Sequence, residues 1–118
     1  MDAEPKQLQQ AMQRAAPAGV MLSFRPMFGG IMGYADGRPV ASLSNVGLAL
    51  KLAGADRVEM LALPGAAPLR YEPDAPPSKS YVVLPGALLA DAHGLRGWIA
   101  RAAAGLPPRA GKKGRVRA

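Results

Sequence analysis

The apolar positions of this chain follow two periodicities, one typical of helices and the other of strands. The spacing near its start predicts a helix from Asp2, which can cap it, to about Ala16. The apolar residues of that helix are Leu8, Ala11, Met12 and Ala15. The spacing near its end predicts a last helix that Asp91 caps. Its apolar stripe consists of Leu95, Trp98, Ile99 and Ala102.

Turn residues and alternating segments predict strands between these two helices. The Asp36-Gly37 pair supplies the positive φ angles of a two-residue hairpin turn, so residues 30–35 are expected to pair with residues 38–43. Residues 21–28 form a further predicted strand, which Pro26 confines to a sheet edge or a bulge. The other predicted strands are residues 48–52, 68–71 and 80–84.

A helix is also expected in the middle of the chain, between Gly54 and the Pro64-Gly65 stop. Asp56 and Glu59 have the spacing of a capping box, in which each side chain bonds to the backbone at the other residue. The residues expected to face inward are Val58, Leu61 and Ala62.

The resulting order is helix, three or four strands, helix, two strands and helix. Because hairpin-connected strands form antiparallel sheets and helices must bury their stripes, this order predicts an α+β fold of two layers. We expect residues 1–105 to form one domain, and residues 106–118, which contain no acidic residue, to form a disordered basic tail.

The positive charge of the chain is concentrated in that tail. The 118 residues include 15 Lys and Arg against 8 Asp and Glu, a net charge of +7, and all eight acidic residues precede the tail. The basic residues of the tail are Arg109, Lys112, Lys113, Arg115 and Arg117. These cations could contact nucleic-acid phosphates without reading sequence, or they could serve only as a solubilising terminus. The sequence leaves both interpretations open.

Composition also limits the chemistry and the location. No cysteine is present, which excludes disulfides, thiolate zinc sites and a cysteine nucleophile. No apolar run approaches the ~18 residues that a transmembrane helix needs. The acidic N-terminus lacks the build of a signal peptide. We therefore expect a cytoplasmic protein with no membrane partner.

Two candidate sites are each better explained by structure. His93 is the single histidine and has no partners at metal-ligand spacing, so we expect it to face solvent at the start of the last helix. Gly29, Gly30 and Gly33 lack the Gly-Lys-Ser/Thr ending of a phosphate loop, which favours a bulge or close backbone packing.

Three basic residues of the predicted strands, Arg25, Arg38 and Lys51, could converge on an anion. We favour the interpretation that they are solvated strand positions, since charged side chains discourage edge-to-edge pairing. No catalytic residue is predicted.

Several short runs occur in the same order as in a known bacterial family. They begin with Arg25, Met27, Phe28, Gly29 and Gly30, and continue across the hairpin with Asp36, Gly37 and Arg38. Later runs are Leu48-Ala49-Leu50-Lys51, Ser80-Tyr81-Val82-Val83-Leu84-Pro85 and Leu95-Arg96-Gly97-Trp98-Ile99-Ala100-Arg101. By these runs, about residues 8–104 resemble the N-terminal domain of the TfoX/Sxy regulators of natural competence.

The resemblance implies a two-layer α+β fold in the order αβββαββα, similar to the type III secretion chaperone-like fold. It implies no catalytic residues and no cofactor. A second, helical domain follows in the competence regulators, and we expect this chain to be a single-domain member without it. The leading hypothesis is therefore a non-enzymatic regulatory or protein-interaction module, with a protein partner and a homodimeric state. The alternative is a nucleic-acid-associated protein that binds nonspecifically through its tail.

Overall fold

The computed structural model describes residues 4–27, 30–70 and 74–106. Its helices are α1 (Pro5–Arg14), α2 (Gly54–Leu61), α3 (Gly86–Leu89) and α4 (Ala92–Ala104). Its strands are β1 (Leu22–Met27), β2 (Gly30–Ala35), β3 (Arg38–Ser44), β4 (Gly47–Lys51), β5 (Ala67–Pro68) and β6 (Tyr81–Val83). The predicted α+β class is confirmed, with four strands before α2. The short α3 was not predicted, because four residues are too few to show a helical period.

The six strands form one antiparallel sheet in the order β1-β2-β3-β4-β6-β5. The predicted hairpin turn is confirmed, since Asp36 and Gly37 both have positive φ angles, of 51° and 82°. Pro26 lies in β1 at the edge of the sheet, as predicted, where a missing N–H need not interrupt the pairing of two strands.

Helices pack on one face of this sheet and enclose the core. Leu43 and Leu48 are cross-strand partners on that face, and both are fully buried. Met12 of α1 and Ile99 of α4 belong to the same buried cluster. No helix among the described residues is long and apolar enough to cross a membrane.

The predicted ends of two helices can be compared directly with the structure. The stripe of the last helix is confirmed, because Leu95, Trp98, Ile99 and Ala102 are all buried. Asp91 caps that helix, and its Oδ1 accepts a hydrogen bond from the Gly94 amide at 3.0 Å. Helix α1 begins at Pro5 with Glu4 as its N-cap residue, while the predicted cap Asp2 lies outside the described residues.

Two expectations for α2 are wrong. Its N-cap residue is Ala53, and no side chain caps it, so Asp56 and Glu59 do not form the expected capping box. Both carboxylates instead bind Arg101 of α4. The buried residue of α2 is Met60, whereas Val58, expected to face inward, is 69% exposed. Ala62, also expected inward, is exposed, while Leu61 packs against the core as expected. Helix α2 therefore turns Met60 towards the core and its two carboxylates towards α4.

Candidate functional site

The face of the sheet opposite the core is here called the open face, and its exposure falls from β1 towards β4. Cross-strand pairing places Arg25, Met32, Ser42, Ala49 and Val83 in one row across five strands. Cross-strand partners share a face, so all five side chains belong to this surface. Arg25 is exposed, Ala49 is buried, and the other three are half-buried. The centre of the row is therefore made of small side chains.

A neighbouring row on the open face combines tyrosines with basic residues. Tyr34 is the cross-strand partner of Ser23, and Lys51 is the partner of Tyr81. The Arg25 guanidinium carbon lies 5.6 Å from the centroid of the Tyr34 ring, within the range of a cation–π contact. Each of these two tyrosines thus has a basic residue beside it.

Met32 and Ser42 of the first row also line a cavity of about 290 Å³, here called the methionine groove. The residues that define the groove are Met27, Met32, Ser42, Ser44, Val46 and Arg70. Two of its apolar side chains are well exposed, Met27 by 44% and Val46 by 49%. Methionine is flexible and polarisable, and it adapts to differently shaped apolar groups. The groove can therefore accept an apolar group from outside the chain.

Among the residues that the structure describes, the strands of the open face carry basic side chains and no acidic ones. Arg25 and Lys51 lie on its strands, and Arg70 lines the groove. The carboxylates of the described residues all lie outside the strands, at Glu4, Asp36, Asp56, Glu59, Asp74 and Asp91. This surface is therefore suited to a partner that brings negative charge.

A second cluster, on the helical side, holds α2 against α4. Arg101 donates from Nη2 to Asp56 Oδ1 and to Glu59 Oε1, both at 2.7 Å. Its guanidinium carbon lies 4.0 Å from the centroid of the Trp98 ring. The hydrogen bond and the charge of Arg101 lower the pKa of Glu59, and both carboxylates raise the pKa of Arg101. Every titratable group of this cluster has a partner, so its role is to fix two helices.

A smaller cavity, of about 170 Å³, lies next to this cluster and is lined by the last described residues. Lys51, Lys79, Arg101 and Leu106 are among the residues that line it. Leu106 is buried, although the sequence placed it at the start of the tail.

The residues singled out from the sequence have different positions. Arg25 and Met27 lie on β1, the first in the central row of the open face and the second in the groove. Gly30 begins β2, where a Cβ atom would lie 2.5 Å from the Leu43 carbonyl oxygen. Asp36 also accepts a hydrogen bond at Oδ1 from the Met21 amide, at 3.0 Å.

The basic residues of the strands do not converge. Arg25 and Lys51 share the open face, but three strand spacings, about 14 Å, separate their strands. Arg38 is the cross-strand partner of Ala35, which is buried on the helical side. Phe28, Gly29 and the tail cations Arg109, Lys112, Lys113, Arg115 and Arg117 lie outside the described residues.

His93 is exposed on α4, as predicted. In the part of the chain that the structure describes, no three His, Cys, Asp or Glu residues are grouped so that they could hold a metal ion. The sequence did not predict the methionine groove or the position of Arg70 in it. Met27 and Met32 are visible in the sequence as methionines of neighbouring predicted strands, but no local pattern connects them with Arg70.

Comparison with known proteins gives one finding about the family. The sequence model of the protein family described as the TfoX N-terminal domain matches residues 6–106 of this chain. Searches of curated proteins and of solved structures found no match. Because the family match covers most of the 118 residues, and the fold has the α+β class that the resemblance implies, the chain belongs to the TfoX N-terminal domain family.

Proposed function

We propose that this protein is a non-enzymatic regulatory module of the bacterial cytoplasm that acts by binding a protein partner through its open face. The observation that carries the proposal is the combination on one surface of an exposed and a half-buried methionine, half-buried tyrosines, and cations with no carboxylate on the described strands. Interfaces are enriched in Met, Tyr and Arg relative to the rest of a protein surface. A role in competence regulation follows the family resemblance and forms part of this proposal.

The state of the acidic residues supports a binding role over catalysis. Asp56 and Glu59 are held by Arg101, Asp36 belongs to a turn, and Asp91 caps a helix. An active site requires titratable groups that converge in a cavity and are free to exchange protons. These four carboxylates have other uses, which favours association as the mode of action.

The partner could also be a second copy of this chain. Strand β1 forms an edge of the sheet, and an edge strand presents unpaired backbone groups to another chain. We propose a homodimer on this ground. Light scattering at increasing protein concentration should give twice the monomer mass, and a constant monomer mass would remove this part of the proposal.

A photo-crosslinking amino acid at position 32 tests the proposal in the native bacterium. Its matched control is the same amino acid at position 58, since Val58 is exposed on the helical side. We expect position 32 to give a discrete protein adduct that position 58 does not give. The purified protein, crosslinked alone, identifies adducts formed with a second copy. If both positions give the same adducts, or neither gives any, the open face is not the binding surface.

A second candidate function is nonspecific binding of nucleic acid through the basic tail. One observation favours it: Lys51 and Lys79 line the cavity at Leu106, so the folded part is basic where the tail begins. Removing residues 107–118 should then abolish a salt-sensitive gel shift of DNA or RNA. The absence of any shift by the full chain at low salt would contradict this function.

A further inference from the structure

We infer that the methionine groove binds a partner segment in which one large apolar side chain is flanked by carboxylates. This inference rests on the proposed function, because it specifies the chemistry of the protein that the open face would bind. Three properties of the groove lead to it: its size, the apolar side chains on its walls, and the sign of the charges around it.

The size of the groove suits one large side chain. Its volume is about 290 Å³, whereas an apolar cavity of about 150 Å³ already accommodates a benzene-sized group. A Leu, Met or Phe side chain therefore fits, with space left for the backbone that carries it.

The walls of the groove provide both apolar and polar contacts. Met27, Met32 and Val46 contribute apolar surface, and an incoming apolar side chain would cover part of it. Ser42 and Ser44 add hydroxyl groups on the strand that forms the floor. Apolar walls with a few polar groups are typical of sites that bind a side chain in a fixed orientation.

The charges around the groove specify what flanks that side chain. Arg70 lines the groove. Arg25 does not line it, but it is the cross-strand partner of Met32, which does, and its guanidinium lies near the Tyr34 ring. Among the described residues neither arginine forms an ion pair with a carboxylate, and Arg70 donates only to the Ala75 carbonyl, at 3.2 Å. A carboxylate next to the apolar side chain would complement Arg70, and a second one within a few residues would complement Arg25.

A peptide explains these features better than a nucleic acid does. Two cations would neutralise about two phosphates, which gives weak binding with a shallow salt dependence. The exposed methionine and valine side chains would remain uncovered by a sugar–phosphate backbone. We therefore assign the groove to a protein segment and treat nucleic acid as an outcome of the test.

The test is selection of a random 12-residue peptide library, displayed on phage, against the full chain. Enriched peptides should share a large apolar residue with Asp or Glu within about three positions on either side. The affinities of synthetic peptides with the selected sequences are then measured by fluorescence anisotropy. No enrichment, or enrichment of neutral or basic peptides, would overturn the inference.

Variants place the binding on the groove. The double variant R25E/R70E should bind the acidic peptides about three- to tenfold more weakly than wild type. Peptides with Lys in place of the acidic residues should regain the lost affinity for this variant. Met32→Ser should lower the affinity of the protein for both kinds of peptide. The control R96E changes an exposed arginine of α4 and should leave the affinity unchanged. Equal weakening by R96E, or none by R25E/R70E, contradicts the assignment.

The outcome can be separated from that of the proposed function. If position 32 crosslinks to a protein in the cell but the selected peptides are not acidic, the open face binds protein and the inferred chemistry is wrong. If position 32 gives no adduct and a fluorescent oligonucleotide competes for the groove instead, both the inference and the proposed protein partner fail.

Discussion

Arg101 of α4 and Asp56 of α2 are joined by two hydrogen bonds to one carboxylate oxygen, from Nη2 at 2.7 Å and from Nε at 3.0 Å. The same guanidinium reaches both carboxylate oxygens of Glu59, at 2.7 and 3.2 Å. Asp56 and Glu59 lie on one side of α2 because residues three apart are neighbours on a helix. One arginine can therefore hold both, and it covers the Trp98 ring at the same time.

Replacing this arginine should loosen α2. We expect Arg101→Ala to lower the melting temperature by a few degrees, because both carboxylates lose their partner and Trp98 loses its cover. Arg101→Lys should recover only part of the loss, since an ammonium group cannot form the forked contact. Thermal unfolding followed by circular dichroism measures both effects. The control is Arg96→Ala on the same helix, and an equal loss there would contradict a specific role for Arg101.

Removal of Glu59 should change how stability depends on pH. Arg101 lowers the pKa of Glu59 in the folded protein. The ion pair therefore contributes stability above the unfolded pKa, about 4.3, and this contribution is lost as the pH falls through the lower, folded value. The stability difference between wild type and Glu59→Gln should thus be largest at neutral pH and should vanish in acid.

Urea denaturation at pH 7 and at pH 3 measures that difference. Asp74→Asn serves as the control for loss of one negative charge, since Asp74 is exposed and has no ion pair among the described residues. A difference between wild type and Glu59→Gln that stayed constant from pH 7 to pH 3 would show that the ion pair is not its source.

Local signals were sufficient for the features that depend on neighbours in the sequence. The hairpin follows from Asp36-Gly37, because few other residues accept two successive positive φ angles. The last helix follows from a stripe at helical spacing and from the cap at Asp91. In each case the stabilising contacts connect residues a few positions apart, so the sequence alone contains the pattern.

Features that depend on distant contacts were not predictable. Asp56 and Arg101 are separated by 45 positions, and the same carboxylate could equally have capped its own helix. The sequence did not predict the open face for a related reason. Strand β2, with the sequence Gly-Ile-Met-Gly-Tyr-Ala, is apolar on both sides, so alternation cannot show which side the helices cover. Only the strand register places Met32 beside Arg25 and away from the core.

The cap of α4 gives a prediction about a single hydrogen bond. Asp91→Ala removes the acceptor of the Gly94 amide, and loss of an N-cap typically costs about 1 kcal/mol. Asp91→Asn keeps an acceptor oxygen and should retain most of the stability. Chemical denaturation of the two variants measures the difference. If Asn at position 91 is as destabilising as Ala, the hydrogen bond is not what Asp91 contributes.

Gly30 and Gly97 should respond in opposite directions to the same added methyl group. In Gly30→Ala the Cβ atom would lie 2.5 Å from the Leu43 carbonyl oxygen, so β2 and β3 must separate. Overpacking of this kind costs about 1–3 kcal/mol. In Gly97→Ala the Cβ atom meets no described atom within 4 Å, and alanine stabilises a helix interior by about 0.5–1 kcal/mol relative to glycine. Urea denaturation of both variants gives the sign of each change. A neutral Gly30→Ala would mean that the close approach of the two strands is not needed, and that glycine at this position has another use.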